Sequence, residues 1–362
     1  MSENIYYRAE DLKAYIVRFL TACEVPLNEA KVTADVLIQA DLRGIHTHGI
    51  TQLHVYYGDR LRANLIEPKC SYKKVQETAN TVAFDAGDGL GQPAGVNAMK
   101  TCIQKARENS VGIATVRNSN HFGFAGYYSM LALEENMIGI SLTNSQPLVT
   151  PTYGKECILG TNPISVAVPT DTRRPYVLDM ATSIVSMGKI RIADIKGEEV
   201  PKGWGVDDQG QITTDPDTII NKGGLLPLGG TDEMSGYKGY GLSLLVDILS
   251  GVLSGSNFGT KIGRRISPVL SRMSVGHFFM AINIEAFRPI FDFKKDMDSL
   301  LTMMTESPKI DGQDRIYIHG EKEFERAEEY SHSGIPLPVE VIESLKQKGE
   351  EAAVPFDVEA LQ

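Results

Sequence analysis

Between residues 81 and 181 the sequence is divided into short apolar runs set off by glycine and proline: "TVAFDAG", "VGIATVRN", "MIGISLTN", "PISVAVP" and "PYVLDMA". Runs of this length bounded by turn formers read as strands, whereas a helix needs a longer segment with apolar residues at three- and four-residue steps. One such segment, "GVNAMKTCIQKAREN", separates the first two runs, so the pattern predicts a sheet-rich α/β core. Ahead of it, "AEDLKAYIVRFLTAC" places Leu12, Tyr15, Ile16, Phe19, Leu20 and Cys23 on one helical face that ends before Pro26. Asn28 is the candidate N-cap of a second helix, "EAKVTADVLIQADLR", and Gly44 suits its left-handed stop. Residues 189–226 are rich in Gly and Pro and read as a small excursion of turns. "KGYGLSLLVDILSGVLSG" then reads as a buried helix, and charged helical segments close the chain.

Charge narrows the function. Among 362 residues, 46 acidic and 36 basic side chains leave a net charge of -10, which disfavours a sequence-independent grip on nucleic-acid phosphates. The most basic stretch, "GTKIGRRISPVLSR" (259–272), reads as a solvated loop that could rim an anion site. The first residues lack a basic start followed by an apolar segment, and no uncharged apolar stretch of spanning length occurs. A cytoplasmic protein without membrane partners is therefore expected. Cys23, Cys70, Cys102 and Cys157 form no C-x-x-C pair and read as reduced, mostly buried thiols.

Two motifs invite readings that their surroundings do not support. "GLGQPA" (89–94) matches a dinucleotide fingerprint, but the region about 20 residues on, "ATVRNSNH", has no acidic residue for a ribose, and Pro93 more simply starts a helix. "HTH" (46–48) could place two histidines on one face of a strand, yet a metal site needs further ligands that no nearby spacing supplies. His46 and His54 read as exposed or hydrogen-bonded. His48 differs because Gly49 beside it permits close approach of another group. His121, in "VRNSNHFGFAGYY", follows a strand among small polar residues and glycines, which suits a site residue better than core filling. "TNSQP" (143–147), "LDMATSIVSMGK" (178–189) and "GYKGYGL" (236–242) add polar strand ends and a lysine at a helix start, and together they indicate a ligand cleft.

Read in order, "ADLRGIHTHG", "DGLGQ", "VRNSNHFG", "TNSQP", "GTNPIS", "LDMATS", "GKI", "PLGG" and "KGYGL" resemble the malate/L-lactate dehydrogenase type 2 family over about residues 8–340. That group includes malate, sulfolactate and ureidoglycolate dehydrogenases, diketogulonate reductases and cyclic imino-acid reductases. The resemblance implies an α/β, non-Rossmann NAD(P)-binding domain whose mostly antiparallel mixed sheet is wrapped by helices, with a helical domain drawn from both chain ends. The expected division is 1–75 with 290–362 for the helical domain, 76–189 with 227–289 for the cofactor domain, and 190–226 as a small insertion. It also implies a homodimer, NAD or NADP as cofactor, and a small 2-hydroxy or 2-keto acid as substrate.

Carried over by residue, the catalytic histidines are His48 and His121. Cofactor contacts fall on His121, Ser145, Asp179, Met180, Ala181, Thr182, Ser183, Lys238 and Gly239, and on "HGE", His319, Gly320 and Glu321, where the family often has Pro-Gly-Glu. The family's Ser-His-Gly-x-x-Arg reads Thr-His-Gly-Ile-Thr-Gln here, so Thr47 and Gln52 stand at the substrate carboxylate site. Glutamine gives a neutral hydrogen bond where arginine makes a charged fork, a difference of about 1–3 kcal/mol. Either another cation substitutes, with Arg43, Arg60 and Arg62 nearby and Arg43 the candidate, or the substrate is a different keto or cyclic imino acid. No metal is expected. A metal-dependent hydrolase using His46 and His48, and a non-catalytic dinucleotide-binding relative, are the competing classes.

Overall fold

The computed structural model describes residues 4–263 and 271–361. Strand β1 (Asn4–Tyr7) leads into helix α1 (Ala9–Ala22), whose buried Leu12, Tyr15, Ile16, Phe19 and Leu20 follow the steps of the sequence. Helix α2 (Leu27–Leu42) starts directly after Pro26, which takes the N-cap position expected for Asn28. Proline's fixed φ suits a helix entrance, and it moves Asn28 into the first turn. Gly44 adopts φ +73° and ends the helix. A 3-10 turn, His46–His48, and a π turn, Leu53–Gly58, continue into α3 (Asp59–Arg62).

Strands β2 (Lys73–Glu77) and β3 (Thr81–Asp85) pair antiparallel, α4 (Gly91–Asn109) crosses over, and β4 (Val111–Ser119) returns parallel to β3. Pro93 therefore lies inside the first turn of α4 and not at its first residue, a place where its missing N–H costs nothing. After α5 (Gly126–Leu131) come β5 (Met137–Thr143), β6 (Ile164–Val168) and β7 (Tyr176–Met180). The excursion is entered through a ten-residue helix, α6 (Met187–Lys196), where turns were expected from residue 189 on. Beyond it lie β8 (Gly205–Val206), β9 (Ile212–Thr213), α7 (Pro216–Asn221) and β10 (Gly224–Leu225).

Helix α8 (Gly236–Asp247) runs on into a π segment, Ile248–Val252, and precedes β11 (Val275–Asn283), α9 (Ile290–Glu306), α10 (Glu321–Ser333), β12 (Ile335–Pro338) and α11 (Val339–Glu351). The main sheet has the order β2-β3-β4-β11-β5-β6-β7, and every described pairing except β3 with β4 is antiparallel. This is the mixed, mostly antiparallel α/β fold that the family resemblance implies.

Helices α4 and α5 cover one face of the sheet over Met99, Cys102, Tyr128 and Phe279. Val246 of α8 packs on the other face over Leu142 and Phe278. Contrary to expectation, α8 and its π extension are buried on one side only: Ser243, Val246 and Ser250 are buried, whereas Leu242, Leu245, Ile248 and Val252, and Leu253 just beyond, are exposed. A second core joins both chain ends, with α1, α2 and the π turn packed against Leu337, Ile342, Leu345 and Phe356. Strand β1 pairs with β12 alongside it.

Candidate active site

The two histidines singled out in the sequence face each other across the two cores. His48 ends the 3-10 turn after α2, His121 follows β4, and their rings lie nearly parallel, 23° apart in tilt with centroids 5.4 Å apart. Asp41, in the last turn of α2, holds the first of them in place. Its fully buried carboxylate accepts the Ile50 N–H at 2.7 Å and lies 3.0 Å from His46 Nδ1, so it pins both ends of the turn carrying His48. A Cβ on Gly49 would overlap this carboxylate, which explains the glycine. Burial pushes the Asp41 carboxyl upward, opposed by the bonds from His46 and Ile50.

His121 is fixed from the other side. Gly123 donates its N–H to His121 Nδ1 at 3.2 Å, and the Tyr57 hydroxyl lies 2.8 Å from the same nitrogen. A neutral His121 that accepts at Nδ1 carries its proton on Nε2. The Tyr56 ring, 4.9 Å from His121, has the buried guanidinium of Arg60 over it at 5.2 Å. Arg62 bonds Asp59 near the surface.

Thr47 and Gln52 support the same turn. Thr47 Oγ1 is 2.9 Å from His48 Nδ1, and Gln52 donates its Nε2–H to the Thr47 carbonyl at 2.8 Å. His46 is held by Asp41. His54 is a core residue, 2.9 Å from the Tyr15 hydroxyl and edge-on to Phe19, and burial lowers its pKa to about 4. Among the described residues no group of three His, Cys, Asp or Glu could hold a metal.

A cavity of about 290 Å³ is lined by Arg43 and Ile45 on the loop before His48 and by Phe124 and Gly126 after His121, together with Asp179, His319, Lys322 and Glu323, while the two histidines themselves stand outside its lining. It brings together the end of β7, the start of α5 and the "HGE" segment. Asp179 accepts the Gly126 N–H at 2.7 Å, and a Cβ on Gly126 would collide with it. Asp179 opens onto the cavity, and desolvation by the surrounding protein raises its carboxyl to about 7, with the Gly126 bond opposing and Glu323 adding to the rise. Arg43 stacks over Phe324 at 4.7 Å, and its buried Nε has no hydrogen-bond partner. His319 and Gly320 line the cavity, whereas Glu321 turns aside to accept from Ile318 N and Arg315.

The other candidates form a ledge. Ser145 Oγ accepts the Thr161 N–H at 3.0 Å, Thr182 donates its N–H to the Thr161 carbonyl at 2.8 Å, and the Leu228 N–H reaches the Thr182 carbonyl at 2.8 Å. Gly239 packs so closely on Leu228 that no side chain fits there. Met180 and Ala181 join this ledge to Asp179, and Ser183 caps its own turn through the Val185 carbonyl. Lys238 stands exposed at the start of α8, outside the cavity. The glycines of "GLGQPA" serve packing: a side chain at Gly91 would overlap the Asn120 and His121 carbonyls, and the start of α4 is buried. Asp41, Tyr57 and the stacking of Tyr56 were missed by sequence reasoning. Only Asp41, at a helix end three residues before Gly44, carries a local signal.

The unpartnered Nε of Arg43 and the Asp179 carboxylate line one cavity, and a cation with a carboxylate suits a ligand with phosphates and sugar hydroxyls, so the residues present fit a nicotinamide dinucleotide. The comparisons with known proteins agree. The malate/L-lactate dehydrogenase family model matches residues 7–346. The chain is 46% identical to a malate dehydrogenase of Pyrococcus abyssi over 93% of this chain and 92% of that one. It is 40% identical to an L-sulfolactate dehydrogenase of Methanocaldococcus jannaschii over 94% and 95%. The solved malate dehydrogenase of Pyrococcus horikoshii OT3 superposes with a TM-score of 0.90 at 40% identity, covering 100% of this chain and 99% of that one. The chain belongs to the malate/L-lactate dehydrogenase family.

Proposed function

We propose that the chain is a nicotinamide-dependent dehydrogenase interconverting a small 2-hydroxy acid and its 2-keto acid, with malate and oxaloacetate as the first pair to test. The observation that carries the reading is the facing pair His48 and His121, each ring held at Nδ1; the cavity lined by Arg43 and Asp179, on the loops that carry the two histidines and on β7, supports it as a dinucleotide site. When bound, the cofactor supplies the hydride acceptor or donor. The remaining chemistry is the chain's own. As the substrate carbon loses or gains hydride, its oxygen must lose or gain a proton, and an imidazole held within reach exchanges it at neutral pH. We assign that exchange to His121 Nε2, whose other nitrogen is fixed by Gly123 and Tyr57. His48 orients the substrate oxygen from the opposite side.

Arg43 and Lys322 would hold cofactor phosphate, Asp179 a sugar hydroxyl, and the Ser145–Thr182 ledge the remainder, with NAD or NADP as the dinucleotide. Arg43 thus serves the cofactor in this reading, and Thr47 and Gln52 stand nearest the substrate's acid end. Because Gln52 is bonded to the Thr47 carbonyl, a substrate other than a plain 2-keto acid is the second reading. We further propose a homodimer joined through the exposed apolar stripe Leu242, Leu245, Ile248 and Val252. The test is absorbance of the reduced cofactors with oxaloacetate, pyruvate, sulfopyruvate, 2,3-diketogulonate and a cyclic imine. Oxaloacetate reduction supports the first reading, and turnover of the imine alone supports the second. Cofactor binding without any turnover would replace both with a non-catalytic dinucleotide-binding role.

A further inference from the structure

We propose that His277 is a positioning residue for His121: bonded to Ser119 and Thr143 on the two strands flanking β11 and stacked on Phe122, it fixes the exit of β4 that carries His121. The inference rests on the reading of His121 as the proton-exchanging residue.

His277 is wholly buried in the middle of the sheet. Its Nδ1 lies 2.7 Å from Thr143 Oγ1 at the end of β5, and its Nε2 lies 2.8 Å from Ser119 Oγ at the end of β4. The Phe122 ring, one residue beyond His121, lies flat on the imidazole, 8° from parallel at 4.7 Å, and Tyr128 stacks on it in turn at 4.6 Å. His121 thus sits between two anchored residues. Ser119 ties down the chain two residues before it, and Phe122 ties it down one residue after.

The backbone alone does not do this. Where β11 meets the end of β4 the ladder slips: Val275 faces Ser119 but His277 faces Val116, so β4 carries an extra residue, and Asn118 takes φ +50°. A bulge re-aims a strand and loosens its register. The imidazole spans that slip from side chain to side chain. Burial lowers its pKa to about 3, outweighing a pull upward from the Asn120 backbone, so the ring stays neutral, donating from one nitrogen and accepting at the other. A residue that merely filled space would need neither bond, and burying an imidazole without them is costly.

The test compares His277→Phe, which keeps a ring to stack but makes neither bond, with His277→Gln, which keeps polar reach. Carbon-13 histidine spectra need no substrate, and His121→Ala assigns the His121 signal. His277→Phe is expected to move that signal, to lower kcat for oxaloacetate reduction about 10- to 100-fold, and to leave KM within about 2-fold. His277→Gln should recover most of the loss. In a His121→Ala background His277→Phe should cost nothing further. The proposal is overturned if folded His277→Phe leaves the His121 signal in place, or if its kinetic loss adds to that of His121→Ala. Should His277→Phe not fold, Ser119→Ala and Thr143→Val each remove one bond and are judged by the same signal and the same split. If His121→Ala keeps wild-type turnover, the reading of His121 fails by itself, while the spectra still decide whether His277 holds it.

Discussion

Replacing Asp41 with alanine tests how the turn bearing His48 is held. The carboxylate is completely buried, and truncation leaves the Ile50 N–H, itself in the core, without its 2.7 Å acceptor. A buried donor left unpaired costs about 1–3 kcal/mol. Loss of the His46 contact adds no more than about 1 kcal/mol, because that imidazole is 37% exposed. Against this, the burial that raises the Asp41 carboxyl burdens the wild type, and its relief on truncation puts the net loss near about 2 kcal/mol. Asp41→Asn keeps an oxygen for Ile50 and should lose about half as much. The assay is urea unfolding followed by Trp204 fluorescence, paired with kcat for oxaloacetate reduction. The alanine variant should turn over about tenfold or more slowly, since a shifted turn misplaces His48. Unfolding within about 0.5 kcal/mol of wild type with unchanged turnover would mean that Asp41 does not hold the turn.

Two further outcomes follow from the structure. His54 titrates near 4 in the fold and near its ordinary value of 6.5 when unfolded, so below 6.5 the unfolded chain takes a proton that the folded chain refuses. Stability falls as pH drops from 6.5 toward 4, and His54→Gln should flatten that fall by up to about 1.4 kcal/mol per pH unit in urea titrations. A variant with the wild-type slope would contradict the burial argument. Gln52→Arg frees the Thr47 carbonyl of its present donor and offers a charged fork, and KM for oxaloacetate should fall about tenfold. An unchanged KM would remove Gln52 from the acid end of the substrate.

The strands from "TVAFDAG" to "PYVLDMA" were legible because each is short and ends in residues that cannot continue it. Strand β11, the centre of the sheet, was not: "VGHFFMAIN" is buried almost throughout, so it shows no alternation to mark it. Helix α8 is apolar on all sides, which normally means burial, and the sequence does not reveal that only one side meets the sheet. His48 and His121 stood out through their glycine and polar neighbours, and the fold brings their rings together. Tyr57 bonds a histidine 64 positions away and His277 bonds Ser119 158 positions away, and no local pattern announces such bonds. The cavity assembles residues 43, 126, 179 and 319, and only the fold makes them neighbours.

In the proposed mechanism His48 and His121 serve one substrate oxygen, and His121 exchanges its proton. The direct measurement is steady-state oxaloacetate reduction by wild type and His121→Ala at saturating reduced cofactor. In His121→Ala, kcat is expected to drop about 100-fold or more, the share general acid–base catalysis commonly supplies, with the dinucleotide still bound. Wild-type kcat in His121→Ala would contradict this assignment.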